Sequence, residues 1–182
     1  MKKLTVVLSL TLAITVVLIF AAGCTSPWQK KAAEETMERA IEKSSGEDVE
    51  VDSTEESTTI STDEGETTWG QAEIPENFPG DVPIYPGAEA TFTYVGSGQD
   101  EESATASLET SDSVDKVADW YKTEIDNNGW TIDNTDTWGD GNDKYISYTA
   151  SQDGRELSVG VSSSETITMI TIAVYKDTGT NI

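Results

Sequence analysis

The sequence predicts an α+β fold: an antiparallel sheet with one helix packed across a face, in the order ββαββββ, preceded by an N-terminal helix and a small β-hairpin. Three observations predict it. Short runs with apolar residues at every second position recur through residues 88–177. Between them Val114, Val117, Ala118, Tyr121 and Ile125 fall at helical spacing. Asp153-Gly154 sits between two alternating runs as a hairpin turn. Alternation gives each strand one apolar side, and the helix is the element available to cover it.

The first 23 residues read as an address. Lys2 and Lys3 precede an apolar stretch from Leu4 to Ala22 that closes on Ala21-Ala22-Gly23-Cys24, the charged, apolar and small-residue order of an export signal. The ending resembles a bacterial lipobox, with Ala21 where that family most often has Leu. The resemblance implies that residues 1–23 are a lipoprotein signal peptide, that the mature chain begins at Cys24, and that a diacylglyceryl group on Cys24 holds it to the membrane. An uncleaved transmembrane helix is the alternative, since about 20 apolar residues span a bilayer. Under either reading the two lysines stay cytoplasmic and the remainder lies outside.

Residues 24–45 form a tether and a helix, with Ala33, Met37, Ala40 and Ile41 on one narrow apolar face. Residues 46–72 have the composition of an acidic linker, yet Val49 and Val51, then Thr58, Ile60 and Thr62, then Thr68 and Trp69 follow a period of two. They read as a β-hairpin or three-stranded ribbon. Pro75, Pro79, Pro83 and Pro86 stiffen residues 73–87 into a strap whose Phe78, Val82, Ile84 and Tyr85 need burial.

In the α+β domain, Phe92 and Tyr94, then Ala104, Ala106 and Leu108, alternate around Gly96-Ser97-Gly98 as a hairpin. Ser111, Asp112 and Ser113 are candidate caps for the helix, which stops at Asn127-Asn128-Gly129. Four strands follow. Trp130 and Ile132 open the first, Trp138 to Asp143 form a turn, and Ile146, Tyr148 and Ala150 form the second. Leu157, Val159 and Val161, then Ile170, Ile172 and Val174, form the last two. Residues 178–182 are a tail.

Composition excludes several classes. The chain has 34 acidic and 11 basic residues, a formal net charge of −23. Such a surface repels phosphate and offers no counterion release, so nucleic acid is not a partner. Anionic headgroups are disfavoured too, which leaves the lipid on Cys24 as what holds the chain to the membrane. Histidine is absent, which removes the commonest general base, metal ligand and partner of a nucleophile. Cys24 is the only cysteine, so no intramolecular disulfide forms. No residue stands out as catalytic and no cofactor is indicated.

Ala40-Ile41-Glu42-Lys43, Gly46-Glu47-Asp48-Val49-Glu50-Val51-Asp52, the strap from Phe78-Pro79-Gly80-Asp81-Val82-Pro83-Ile84-Tyr85-Pro86-Gly87-Ala88, and Thr110 to Lys122 with Asn128-Gly129-Trp130 resemble a broad group of uncharacterised prokaryotic lipoproteins and secreted proteins. That resemblance implies an architecture and no activity.

Two sets of residues remain as site candidates. Trp120 and Trp138 are candidates for ligand binding, because Trp120 lies beside the helix's apolar stripe and Trp138 falls in a turn; Tyr121 and Trp130 belong to the core. Asp136, Asp140 and Asp143 are candidate cation ligands in an oxygen-rich loop with Asp133 and Asn142, although EF-hand spacing fails at Trp138 and Ser147. The expected function is a membrane-anchored, extracytoplasmic, non-catalytic binding or assembly domain, its partner an envelope protein or a small ligand. The alternatives are a calcium- or other cation-responsive module using the Asp133 to Asp143 loop, and a hydrolase with a carboxylate pair.

Overall fold

The structure is a computed structural model that describes residues 27–45, 48–96, 103–140, 143–164 and 166–176. The signal peptide, Cys24, the Ser97-Gly98 turn, Asn142 and the tail lie outside the described residues. Helix α1 (Pro27–Ser45) leads into β1 (Val49–Ser53), β2 (Ser57–Thr62) and β3 (Gly65–Ala72). After the strap come β4 (Glu89–Gly96), β5 (Ala104–Thr110), helix α2 (Val114–Asn127), β6 (Thr131–Trp138), β7 (Tyr145–Gln152), β8 (Arg155–Ser164) and β9 (Ile167–Lys176).

All the strands join one antiparallel sheet of nine, in the order β1-β2-β3-β4-β5-β9-β8-β7-β6. The expected ββαββββ sheet of residues 88–177 is thus only part of the sheet that forms. The acidic ribbon has three strands, and β3 pairs with β4, so the ribbon extends the sheet of the α+β region. Within residues 89–176 the chain order is two strands, a helix and four strands, but that run does not own its sheet.

Topology dictates where α2 lies. β5 and β6 are four strand spacings apart, roughly 19 Å, and the 14 residues of α2 span roughly 21 Å. The connection therefore crosses the face of the sheet, and α2 packs on β6, β7 and β8. Val114, Val117, Ala118, Tyr121 and Ile125 are buried there against Ile146, Tyr148, Ala150, Leu157, Val159 and Val161.

Its ends are set by local chemistry. The Ser113 side chain caps the start by accepting from Lys116 N. At the other end Trp130 N donates to Ile125 O at 3.1 Å and Gly129 N to Asp126 O at 3.0 Å, which is the Schellman arrangement. Gly129 takes φ +86°, where a side chain is strained, and a Cβ there would meet Gln152 Nε2 at 2.7 Å. Trp130 ends buried against the core ahead of β6, which begins one residue later.

The strap packs over the rest of this face. Phe78, Val82 and Tyr85 are buried in the core with Ala90, Val95, Ala104 and Leu108. Phe92 and Tyr94 do not join them. Pairing slips between Ala90 and Phe92, so Thr93 and Val95 take the core side with Ala106 and Ala104 while Phe92 and Tyr94 turn to the other face. The Thr93 hydroxyl is buried with no hydrogen-bond partner among the described residues. Helix α1 packs on β1 at the edge, where Glu38 Oε1 accepts from Val51 N at 3.1 Å and Glu34 Oε1 from Ser53 N at 3.0 Å. Among the described residues no helix is long and apolar enough to cross a membrane.

Two substitutions should move stability in opposite directions. Gly129→Ala should lower it by about 1–2 kcal/mol, the cost of the left-handed conformation. Thr93→Val removes a buried hydroxyl without a partner and should raise it by about 1 kcal/mol. Urea midpoints at unchanged slope would show both.

Candidate functional site

The helix-side surface has a shallow groove where the strap meets α2. It encloses about 350 Å3 and is lined by Ile74, Phe78, Pro79, Pro83, Trp120 and Glu124 among others. Trp120 is half-buried and held by rings: it meets Tyr85 edge-on at 5.1 Å and Tyr121 edge-on at 4.8 Å. Tyr85 is fixed in turn, its N–H donating to the Tyr121 hydroxyl at 3.3 Å and its hydroxyl to Asp112 Oδ2 at 2.8 Å. Trp120 is thus a wall of this groove and a brace for the strap.

Several titrating groups near it are pushed away from neutrality. Hydrogen bonds from the Lys116 ammonium and the Tyr85 hydroxyl hold the Asp112 carboxyl below its ordinary range, and the same carboxylate raises Lys116. Burial raises the Tyr85, Tyr121 and Tyr148 hydroxyls, with Asp112 adding to the shift at Tyr85. None of these shifts moves a group toward exchanging a proton near pH 7, as a general acid or base requires.

Trp138 is elsewhere. It is the last residue of β6, not a turn residue, and it pairs with Tyr145 of β7. Both side chains lie on the sheet face opposite α2. The register carries that face across the molecule: Trp69 pairs with Phe92, Phe92 with Ser107, Ser107 with Thr171, Thr171 with Gly160 and Gly160 with Ser147. A neighbouring row runs from Thr67 through Tyr94, Thr105, Ala173 and Ser158 to Thr149.

Of the six large hydrophobic side chains exposed among the described residues, five stand on this face: Trp69, Trp138, Tyr145, Met169 and Tyr175. Neither helix packs chiefly on the part of this face from β4 to β6: α1 lies on β1, and α2 lies on the opposite face. Its centre is a floor of small residues, most of them hydroxylated, and its margins are aromatic. Trp69 and Phe92 lie at one side with ring centroids 6.0 Å apart, and Tyr145 and Trp138 lie at the other. Gly160 leaves room for Tyr145, whose hydroxyl lies 3.0 Å from where a Cβ would be.

Sequence reasoning singles out Trp138 but not Trp69, Phe92, Met169 or Tyr175 on the same face. Their signal is that they alternate with the core positions, and reading it requires the pairing order.

Asp136 sits on exposed β6, where its carboxylate accepts from Asn134 Nδ2 at 2.6 Å. Asp140 follows that strand, and its carbonyl accepts from Asp143 N at 3.1 Å. Among the described residues no three His, Cys, Asp or Glu side chains gather where they would hold a metal.

The two tryptophans should separate on substitution. Trp120→Ala removes a braced, half-buried ring and should cost about 2–3 kcal/mol, toward the lower side of core aromatic truncations. Trp138→Ala, at 67 % exposure, should stay within about 0.5 kcal/mol. Thermal and urea unfolding of both variants would check the contrast.

Residues 89–168, from the start of β4 to the second residue of β9, match a family model described as START domain-like. Among curated proteins, none matches the chain.

Proposed function

We propose that this chain is an extracytoplasmic lipoprotein, held to the membrane by lipid on Cys24, whose folded part is a non-catalytic binding domain. One observation carries the binding reading: among the described residues, five of the six exposed large hydrophobic side chains share the sheet face opposite α2. A chain this acidic has ample polar residues for solubility, and apolar area gathered on one surface marks an interaction site. The START domain-like match over residues 89–168 supports binding over catalysis, because domains of that kind generally bind ligands. The direction of the pKa shifts supports it as well. The order of charged, apolar and small residues up to Cys24 supports the anchor.

Oxidative footprinting of intact cells against the purified full chain tests the binding surface. Trp69, Trp138 and Tyr145 should be protected in the native envelope. Equal oxidation in both states would rule the reading out. Mass spectrometry of the N-terminal peptide from the membrane fraction tests the anchor: diacylated Cys24 is expected, and a retained Met1 with unmodified Cys24 would refute it.

A further inference from the structure

We propose that the open face of the sheet binds a neutral polysaccharide chain. The inference rests on the binding reading above and names the ligand class for that surface.

The floor carries hydroxyls from four strands: Thr105 and Ser107 of β5, Thr171 of β9, Ser158 of β8, and Ser147 and Thr149 of β7. All six are at least partly exposed. From β5 to β7 the floor spans three strand spacings, roughly 14 Å, which accommodates several sugar units end to end.

The chemistry at its two sides differs from that of the floor. Tryptophan and tyrosine rings offer flat, weakly polar faces that suit the C–H faces of pyranose rings, and exposed hydroxyls exchange hydrogen bonds with sugar hydroxyls directly or through water. A sugar has both kinds of surface. An apolar protein helix or sheet would leave the floor hydroxyls without partners, and the centre of a protein interface is where such polar atoms are fewest.

Charge narrows the class further. The acids that reach this face, Glu89, Glu109, Asp136 and Glu156, lie at its margins, and no Lys or Arg among the described residues falls on its rows. With a net charge of −23 behind it, the surface repels uronate and phosphate polymers. A shallow face gives weak single-site binding, and attachment of many copies to one membrane turns weak contacts into firm retention.

Affinity electrophoresis of the full chain in mild detergent tests this, in gels cast with soluble neutral glucan, mannan or galactan, and with alginate as the anionic polymer. Retardation by at least one neutral polymer and none by alginate is expected. The double variant Trp138→Ala/Tyr145→Ala should weaken the apparent affinity about tenfold, and Thr171→Glu, which sets a charge in the exposed floor, should weaken it comparably. Lys122→Ala, exposed on α2 across the sheet from this face, should leave it unchanged, and unfolding midpoints confirm that each variant is folded. Retardation that survives the double variant, or retardation by alginate, would overturn the proposal. If no neutral polymer retards the chain while the face stays protected in intact cells, the ligand class is wrong and the binding reading stands. If protection is absent too, both fail.

Discussion

The Trp130 indole N–H donates to the Asp81 carbonyl at 2.9 Å, while the Arg155 guanidinium lies 4.9 Å over its ring and pairs with the Asp81 carboxylate through both oxygens. Three separate parts of the chain meet here: the strap, the end of α2 and the start of β8. The need for this knot follows from width. A helix is about 10 Å across, whereas β4 to β6 cover five spacings, roughly 24 Å, and α2 packs chiefly on β6, β7 and β8. Val95, Ala104 and Val174 on the remaining strands would face water without a second cover. The strap supplies it, its prolines limiting the entropy lost on ordering, and Asp81 fastens it to a tryptophan that the helix cap has already fixed.

The two faces of the sheet follow from one periodicity. Along the middle of β5, β7, β8 and β9, every second residue is Ala, Val, Leu, Ile or Tyr and faces the side covered by α2 and the strap. The residues between them are mostly Ser, Thr, Gly and a few large rings. Acidic residues crowd α1, the ribbon, the turns and the helix surface, so the centre of the open face carries little charge in a strongly acidic molecule. A solubilising charge spread evenly would not have left that gap.

Local chemistry makes α2 legible in the sequence. Ser113, the apolar spacing and Asn128-Gly129 each act within a few residues, and together they define its start, buried face and end. Asp153-Gly154 is legible for the same reason, with both residues at positive φ. What escapes a sequence reading depends on partners distant in the chain. A threonine-rich strand such as β2 declares its period but not its neighbour, so the joining of the ribbon to the sheet does not show. The slip near Thr91 reverses the sides of Phe92 and Tyr94, which plain alternation assigns to the core. Trp120 stands out from its place on the helix, but its fixing by Tyr85 depends on a strap thirty-odd residues upstream. The acids and glycines after Trp138 suggest a turn, whereas pairing with Tyr145 extends β6 to include it.

Edges decide which surfaces remain for a partner. An unpaired strand edge invites another chain, and this sheet treats its two edges differently. At β1, the Glu34 and Glu38 carboxylates of α1 occupy the outward N–H groups of Ser53 and Val51, so the helix stands where a tenth strand would pair. At β6, a register slip beside Asp133 and the exposed Asp133 and Asp136 make the edge irregular and charged. With the edges blunted and the core face filled by α2 and the strap, the open face is the broad surface left. Pro27 begins α1 three residues after Cys24, so under the proposed anchor the tether leaves from the β1 edge. From there to β6 is eight spacings, roughly 38 Å, and the aromatic pair of Tyr145 and Trp138 lies at the far end of the sheet from the lipid.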